Sequence, residues 1–386
     1  MTKYRLQSIT FVLVAFLLGC NEFMVVGVLS NIAKSYHASL STVGFLVTMF
    51  ALTYAICTPV LTTITSKYDR FKVLMTLMVI FLLGNTLTAC APTLFWLFVS
   101  RIITAGVAGA IISLILVYVS IIAPIEKRSM LVATVFSGFS TATIIGVPIG
   151  TTISTAFSWH ASFALISVVT LIVGAFLYFL VPRNTKQTKG SIGHQVKLLK
   201  DPRIFLGIVV MITIIAAEYT FYTYIRPIIT NVLNYSTTQL NWLLGLVGVM
   251  FIIGNTCAGI ISSRYGVTKL PLISLACLIL LLVMGLSFKL PLAGIALLCV
   301  ICLVLGMPGS ILQVMFLNVA DRDYPAAMNL ASSLNPICTN IGVTVGSFTA
   351  SIAVNFVAIS QIGYIGALFA IISTVGSVML VHRTTK

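Results

Sequence analysis

The chain has 386 residues, 59% of them hydrophobic and 8% charged, with a net charge of +15. A soluble globular protein carries about 25% charged residues, so this chain lacks the polar surface that water demands, and lipid removes that demand. The Lys and Arg residues fall in short gaps between apolar segments rather than on one face, which argues against nucleic acid as a partner and makes them topology signals.

The first residues, Met1-Thr2-Lys3-Tyr4-Arg5, precede an apolar stretch too long for a signal-peptide core, so an uncleaved first helix is expected. Apolar windows then recur, each long enough to cross the hydrocarbon core. Expected spans are 7–30, 41–65, 73–91, 94–122, 130–154 and 161–181, followed by 203–228, 239–262, 269–288, 292–318, 327–352 and 358–381. The one long polar stretch, 182–202, separates two halves, 1–181 and 203–386. The expected architecture is all-α: twelve transmembrane helices in two groups of six, in a multi-pass membrane protein.

With the N-terminus inside, most basic residues are cytoplasmic, including Lys67, Arg70, Lys72, Lys127, Arg128, Arg264, Lys269, Arg322 and Arg383. The opposite loops hold little beyond Lys34 and Lys289. This asymmetry places both termini in the cytoplasm. The halves also echo each other. Glu22 corresponds to Glu218, and the loop around Asp69-Arg70 to the one around Arg264. Parallel six-helix repeats suit a transporter with its site between the halves.

Charge inside a span costs roughly 2.5–3.5 kcal/mol on insertion scales, so it marks function or a partner. Glu22 and Glu218 are the two acidic residues within spans. A carboxyl held there can take a proton from one side and release it to the other, bind a cation, or both. The alternative is a Glu bonded to polar neighbours such as Asn21 for packing alone. Arg101, in the fourth span, lies at a depth close to that of Glu22, so the two are candidates to pair or exchange partners; a structural ion pair is the other reading. Asp69, Arg70 and Lys72 form either a solvated basic turn or a conformational latch. Gly146-Val147-Pro148-Ile149-Gly150 marks a close-packed, bendable seam in the fifth span. In the seventh, Tyr222 and Tyr224 suit an interfacial belt or a cavity lining, and Arg226 is expected to reach outer headgroups.

The eight Cys all fall in apolar segments, so neither disulfide nor zinc is expected. The four His stand at span ends or in loops without metal-ligand spacing. No P-loop supports ATP-driven transport, and no nucleophile–base pattern supports an enzyme.

Together these residues resemble the major facilitator superfamily, specifically its twelve-helix drug:proton antiporter branch and the bacterial sugar-efflux and chloramphenicol-resistance proteins of the arabinose-efflux type. Asn21-Glu22-Phe23 with Gly27 resembles that group's helix-1 pattern. Asp69-Arg70 with Lys72 resembles the helix-2/3 loop motif, and Arg264 its second copy. Arg101 matches the helix-4 arginine. Gly146, Pro148 and Gly150 match the helix-5 antiporter motif. Tyr222-Thr223-Tyr224 with Pro227, and Asn340 with Gly342 and Gly346, are similar to its helix-7 and helix-11 patterns.

The resemblance implies alternating access around a central cavity lined by Asn21, Glu22, Glu218, Tyr222, Tyr224 and Asn340. It implies proton coupling through Glu22, Arg101 and Glu218, no cofactor or metal, and a monomer in the bacterial inner membrane. The expected partners are protons, a small-molecule substrate and the bilayer. A proton-coupled importer and a lipid flippase or passive facilitator are the competing functions.

Overall fold

The computed structural model describes residues 3–65, 68–124, 131, 134–139, 141–183, 197–324 and 327–384. Lys67, Lys127, Arg128 and most of the 182–202 linker lie outside them. Among the described residues all regular structure is helical. In lipid the backbone must satisfy its own hydrogen bonds, and a helix does so within one segment.

The helices are α1 (Lys3–Ser35), α2 (Leu40–Thr65), α3 (Arg70–Ala89), α4 (Leu94–Ile122), α5 (Val147–Ala156), α6 (Trp159–Leu180), α7 (Pro202–Tyr222), α8 (Thr237–Tyr265), α9 (Leu270–Ser287), α10 (Pro291–Asp323), α11 (Met328–Ala353) and α12 (Ile362–Thr384). Ten helices among the described residues are long and apolar enough to cross a membrane. Large apolar side chains stand on their outsides, Leu83 at 63% and Phe179 at 77% exposure. That arrangement suits lipid rather than water.

The expected spans 130–154 and 327–352 are not among the ten. Residues 130, 132–133 and 140 of the first lie outside the described residues, and among the rest the α-helix is interrupted. Pro148 has no N–H to offer the carbonyl one turn back, and a π-helical stretch, Ala142–Gly146, runs up to α5 just before it. The second, α11, is diluted by Asn335, Thr339, Asn340, Thr344, Ser347, Thr349 and Ser351.

Two compact units divide the chain: Met1–Ser39 with Met49–Lys189, and Leu40–Thr48 with Gly190–Lys386. In the first, α1 is the core helix, buried almost continuously from Leu17 to Leu29. It is held by the glycine seam expected from the sequence. A Cβ on Gly146 would stand 2.6 Å from the Cys20 sulfur, one on Gly150 would collide with Met24, and one on Gly27 would meet Thr151. Small residues thus let two backbones approach where lipid offers no hydrophobic drive between helices. Thr151 Oγ1 donates to the Val147 carbonyl at 2.8 Å and also approaches the Gly27 carbonyl at 3.3 Å across the seam.

In the second unit α7 plays the corresponding part. Gly342 and Gly346 of α11 press on the Ile212 and Ala216 carbonyls, and Gly366 of α12 on Thr220. Asp201 caps its start, accepting from the Arg203 amide at 2.8 Å. The helix stops at Tyr222 because Pro227, like Pro148, withholds the N–H that would continue the ladder. A short turn, Ile225–Pro227, and a π-helical stretch, Ile228–Val232, follow.

Candidate functional site

In the first unit, the rungs of the seam at Cys20 and Met24 fix the rotation of α1, and Glu22 lies between them. Glu22 is 8% exposed, and among the described residues its carboxyl makes no hydrogen bond or ion pair. It lies within electrostatic reach of Arg101 on α4 and Tyr54 on α2.

Arg101 is completely buried. Its Nη1 donates to the Asn21 carbonyl at 2.8 Å. Its guanidinium lies 4.3 Å from the ring centre of Phe50 and 5.6 Å from that of Phe163. Nε and Nη2 are buried and have no partner among the described residues. Removing a cation from water costs several kcal/mol. One charge-assisted hydrogen bond returns about 1.5–3 kcal/mol, and a desolvated cation–π contact about 2 kcal/mol. These two open nitrogens leave the guanidinium able to take a negative partner.

Sequence reasoning overlooked part of this assembly. Asn85 of α3, fully buried, accepts a hydrogen bond from Asn21 Nδ2 and donates to the Phe81 carbonyl at 2.9 Å. It is the only amide side chain in the expected span 73–91, and that rarity was the available signal. Phe50, Tyr54 and Phe163 were indistinguishable from ordinary core aromatics.

The loop motif has a defined local role. Asp69 caps α3 by accepting from the Lys72 amide at 2.9 Å. Tyr118 of α4, buried and with its hydroxyl unpartnered among the described residues, lies within electrostatic reach of Asp69 and Arg70. Arg264 stands exposed in the last turn of α8, which Gly266 ends with a positive φ of 54°.

In the second unit, Glu218 is also 8% exposed and without a hydrogen bond among the described residues. Its neighbours in electrostatic reach are Tyr222, Cys277 of α9 and Cys302 of α10. The Tyr222 ring packs edge-on against Phe251, centroids 5.8 Å apart. Asn340 Nδ2 donates to the Pro336 carbonyl at 3.0 Å, while its Oδ1 is buried and unpartnered among the described residues. Tyr224 has a bonding role: its hydroxyl hydrogen-bonds Ser351 Oγ at 3.2 Å and the Leu40 carbonyl at 3.3 Å. Arg226 does not reach headgroups; it is 3% exposed, drawn inward by the turn that follows α7.

One ionic cluster was not anticipated. Arg203 clasps Asp201 through Nη2 at 2.7 Å and Nε at 3.1 Å, and reaches Asp323 at the end of α10 at 2.6 Å. The Tyr324 hydroxyl donates to Asp201 at 3.3 Å. The Arg203 guanidinium holds the Asp201 carboxyl below its ordinary range. Among the described residues no group of three His, Cys, Asp or Glu is arranged to hold a metal ion.

The family profile described as Major Facilitator Superfamily matches residues 11–347. The chain is 30% identical over 371 residues to the uncharacterized MFS-type transporter YtbD of Bacillus subtilis (strain 168), covering 95% of this chain and 92% of that protein. It is 26% identical over 378 residues to the uncharacterized MFS-type transporter YbcL of the same organism, with coverage of 97% and 95%. Among solved structures it is similar to a D-xylose-proton symporter, with a TM-score of 0.79, 15% identity and coverage of 98% and 97%. It is also similar to a bacterial homolog of the human lysosomal transporter Spinster in an inward-facing, occupied conformation, with a TM-score of 0.79, 12% identity and coverage of 99% and 98%.

Proposed function

The chain belongs to the major facilitator superfamily, and from that membership we propose that it is a proton-coupled exporter. In this reading it is an antiporter of small amphipathic compounds, drugs or sugars. It works by alternating access as a monomer in a bacterial inner membrane, with both termini cytoplasmic. Its work is transport rather than covalent chemistry.

The observation that carries the reading is the buried, under-partnered Arg101 beside the buried, unbonded Glu22. A passive facilitator has no use for such a pair. In the proposed cycle, protonated Glu22 is neutral and the guanidinium rests on the Asn21 carbonyl. Loss of the proton creates a negative charge that the open Nε and Nη2 groups neutralise. A substrate that engages Glu22 competes with the proton, so export and proton entry alternate. One charge crossing 100 mV supplies about 2.3 kcal/mol, somewhat under two decades of substrate gradient. Glu218, with Tyr222 and Asn340, offers a second polar point for the substrate.

The test is proton release from purified protein on addition of chloramphenicol, ethidium or arabinose, comparing wild type with Glu22→Gln. Release from wild type alone supports antiport at Glu22. Binding without release from either protein overturns coupling and favours a facilitator or flippase.

A further inference from the structure

The cycle above leaves Asn85 unused. Its amide orientation is fixed by chemistry: Nδ2 donates to the Phe81 carbonyl, so Oδ1 must face Asn21, and it accepts from Asn21 Nδ2. Asn21 therefore cannot turn over. Its own Oδ1 is held in the opposite direction, buried and unpartnered among the described residues. Its backbone carbonyl meanwhile holds Arg101 Nη1. Three buried polar atoms, Asn21 Oδ1 and Arg101 Nε and Nη2, are thus left open on two residues already bonded to each other. Buried polar atoms are normally satisfied, and each open one costs about 1–3 kcal/mol. Three on one bonded pair mark a place kept ready for a group whose charge changes.

We propose that Asn85 is a positioning residue for proton coupling: its bond to the Asn21 side chain ties α3 to α1 at residue 21 and so sets the place of the Asn21 backbone carbonyl that holds Arg101 Nη1, leaving Nε and Nη2 open for ionised Glu22. The inference rests on the reading of Glu22 as the coupling carboxyl. The titratable groups in electrostatic reach of Glu22 are Arg101 on α4 and Tyr54 on α2. His160 on α6 is engaged elsewhere, with the Ala89 carbonyl at 2.9 Å.

The experiment is a pH titration of the buried-carboxyl band by infrared difference spectroscopy on the purified full chain. It needs no substrate. Wild type, Glu22→Gln, Asn85→Leu and the double variant are compared. Asn85→Thr is the second variant at that position, chosen because α3 already carries Thr86 and Thr88 bonded to carbonyls one turn back. It keeps a donor to the Phe81 carbonyl and draws the acceptor back from Asn21 by one bond, since Thr Oγ1 branches from Cβ.

The expected result is a band absent from Glu22→Gln whose midpoint moves up by about one pH unit in either Asn85 variant. The sign follows from the charge: a guanidinium released from its orientation stabilises the Glu22 carboxylate less. A merely structural Asn85 would lower the melting temperature and leave the midpoint where it was, and that outcome overturns the positioning role alone. If Glu22→Gln removes no titrating band, the coupling reading fails and this inference falls with it.

Discussion

Glu22 on α1 and Glu218 on α7 are equally exposed, 8% each, yet their company differs in charge. Glu22 has a whole guanidinium within reach. Glu218 has a phenol and two thiols, and no cation among the described residues. An opposite charge offsets the cost of ionisation in a low-dielectric site; neutral groups do not. The two carboxyls therefore differ in chemistry. The first unit sets a guanidinium within reach of its carboxyl. The second surrounds its carboxyl with neutral groups, Tyr222, Cys277 and Cys302.

The largest effect expected from this contrast is in transport. Glu22→Gln should lower pH-gradient-driven ethidium efflux from proteoliposomes about fiftyfold, within the range of coupling energies between sites. Glu218→Gln should lower it by about fivefold or less and keep its pH dependence. Equal losses would erase the distinction between the two carboxyls. Arg101→Lys sharpens the same point. It keeps the charge but not the planar fork, and efflux should fall about tenfold while the folded protein keeps its melting temperature.

The seam that orients Glu22 gives a stability contrast. Gly150→Val should cost about 1–3 kcal/mol by overpacking against Met24. Gly174→Ala in α6, where a Cβ meets nothing within 4 Å, should be close to neutral. Thermal unfolding in detergent compares them, and an equal loss would remove the seam from the account.

The smallest effect concerns the second unit's ionic cluster. The Asp201 carboxyl is held below its ordinary value, so its contribution is present above the unfolded-state value, near pH 4. It is lost as pH falls through the folded value. Arg203 is partly exposed, and screening limits the effect to about 2 °C in melting temperature. The acid-side decline should be shallower in Asp201→Asn; parallel curves would show that the cluster adds nothing measurable.

Much of this was legible from residue type and depth. The cost of charge in lipid singled out Glu22, Glu218 and Arg101, and the spacing of Gly146, Pro148 and Gly150 announced a close helix contact. Two things were not legible. Which side chains surround a buried carboxyl depends on helix rotation, so Tyr54, Cys277 and Cys302 looked like core. The break after Tyr222 also reversed an expectation. Arg226 reads as a headgroup anchor from its place near a span end, but the turn after α7 carries it inward. The Asp201–Arg203–Asp323 cluster joins residues more than a hundred positions apart, beyond what local pattern contains.

The lengths of α1 and α10 have a consequence of their own. Each has 33 residues, about 50 Å of helix, against a hydrocarbon layer about 30 Å thick. Neither fits upright and flush; each must lean or project past the acyl chains. The end of α10 carries Asp323, and Arg203 ties it to the start of α7. The tip of a helix longer than the acyl layer is thus anchored by an ion pair to the start of its neighbour.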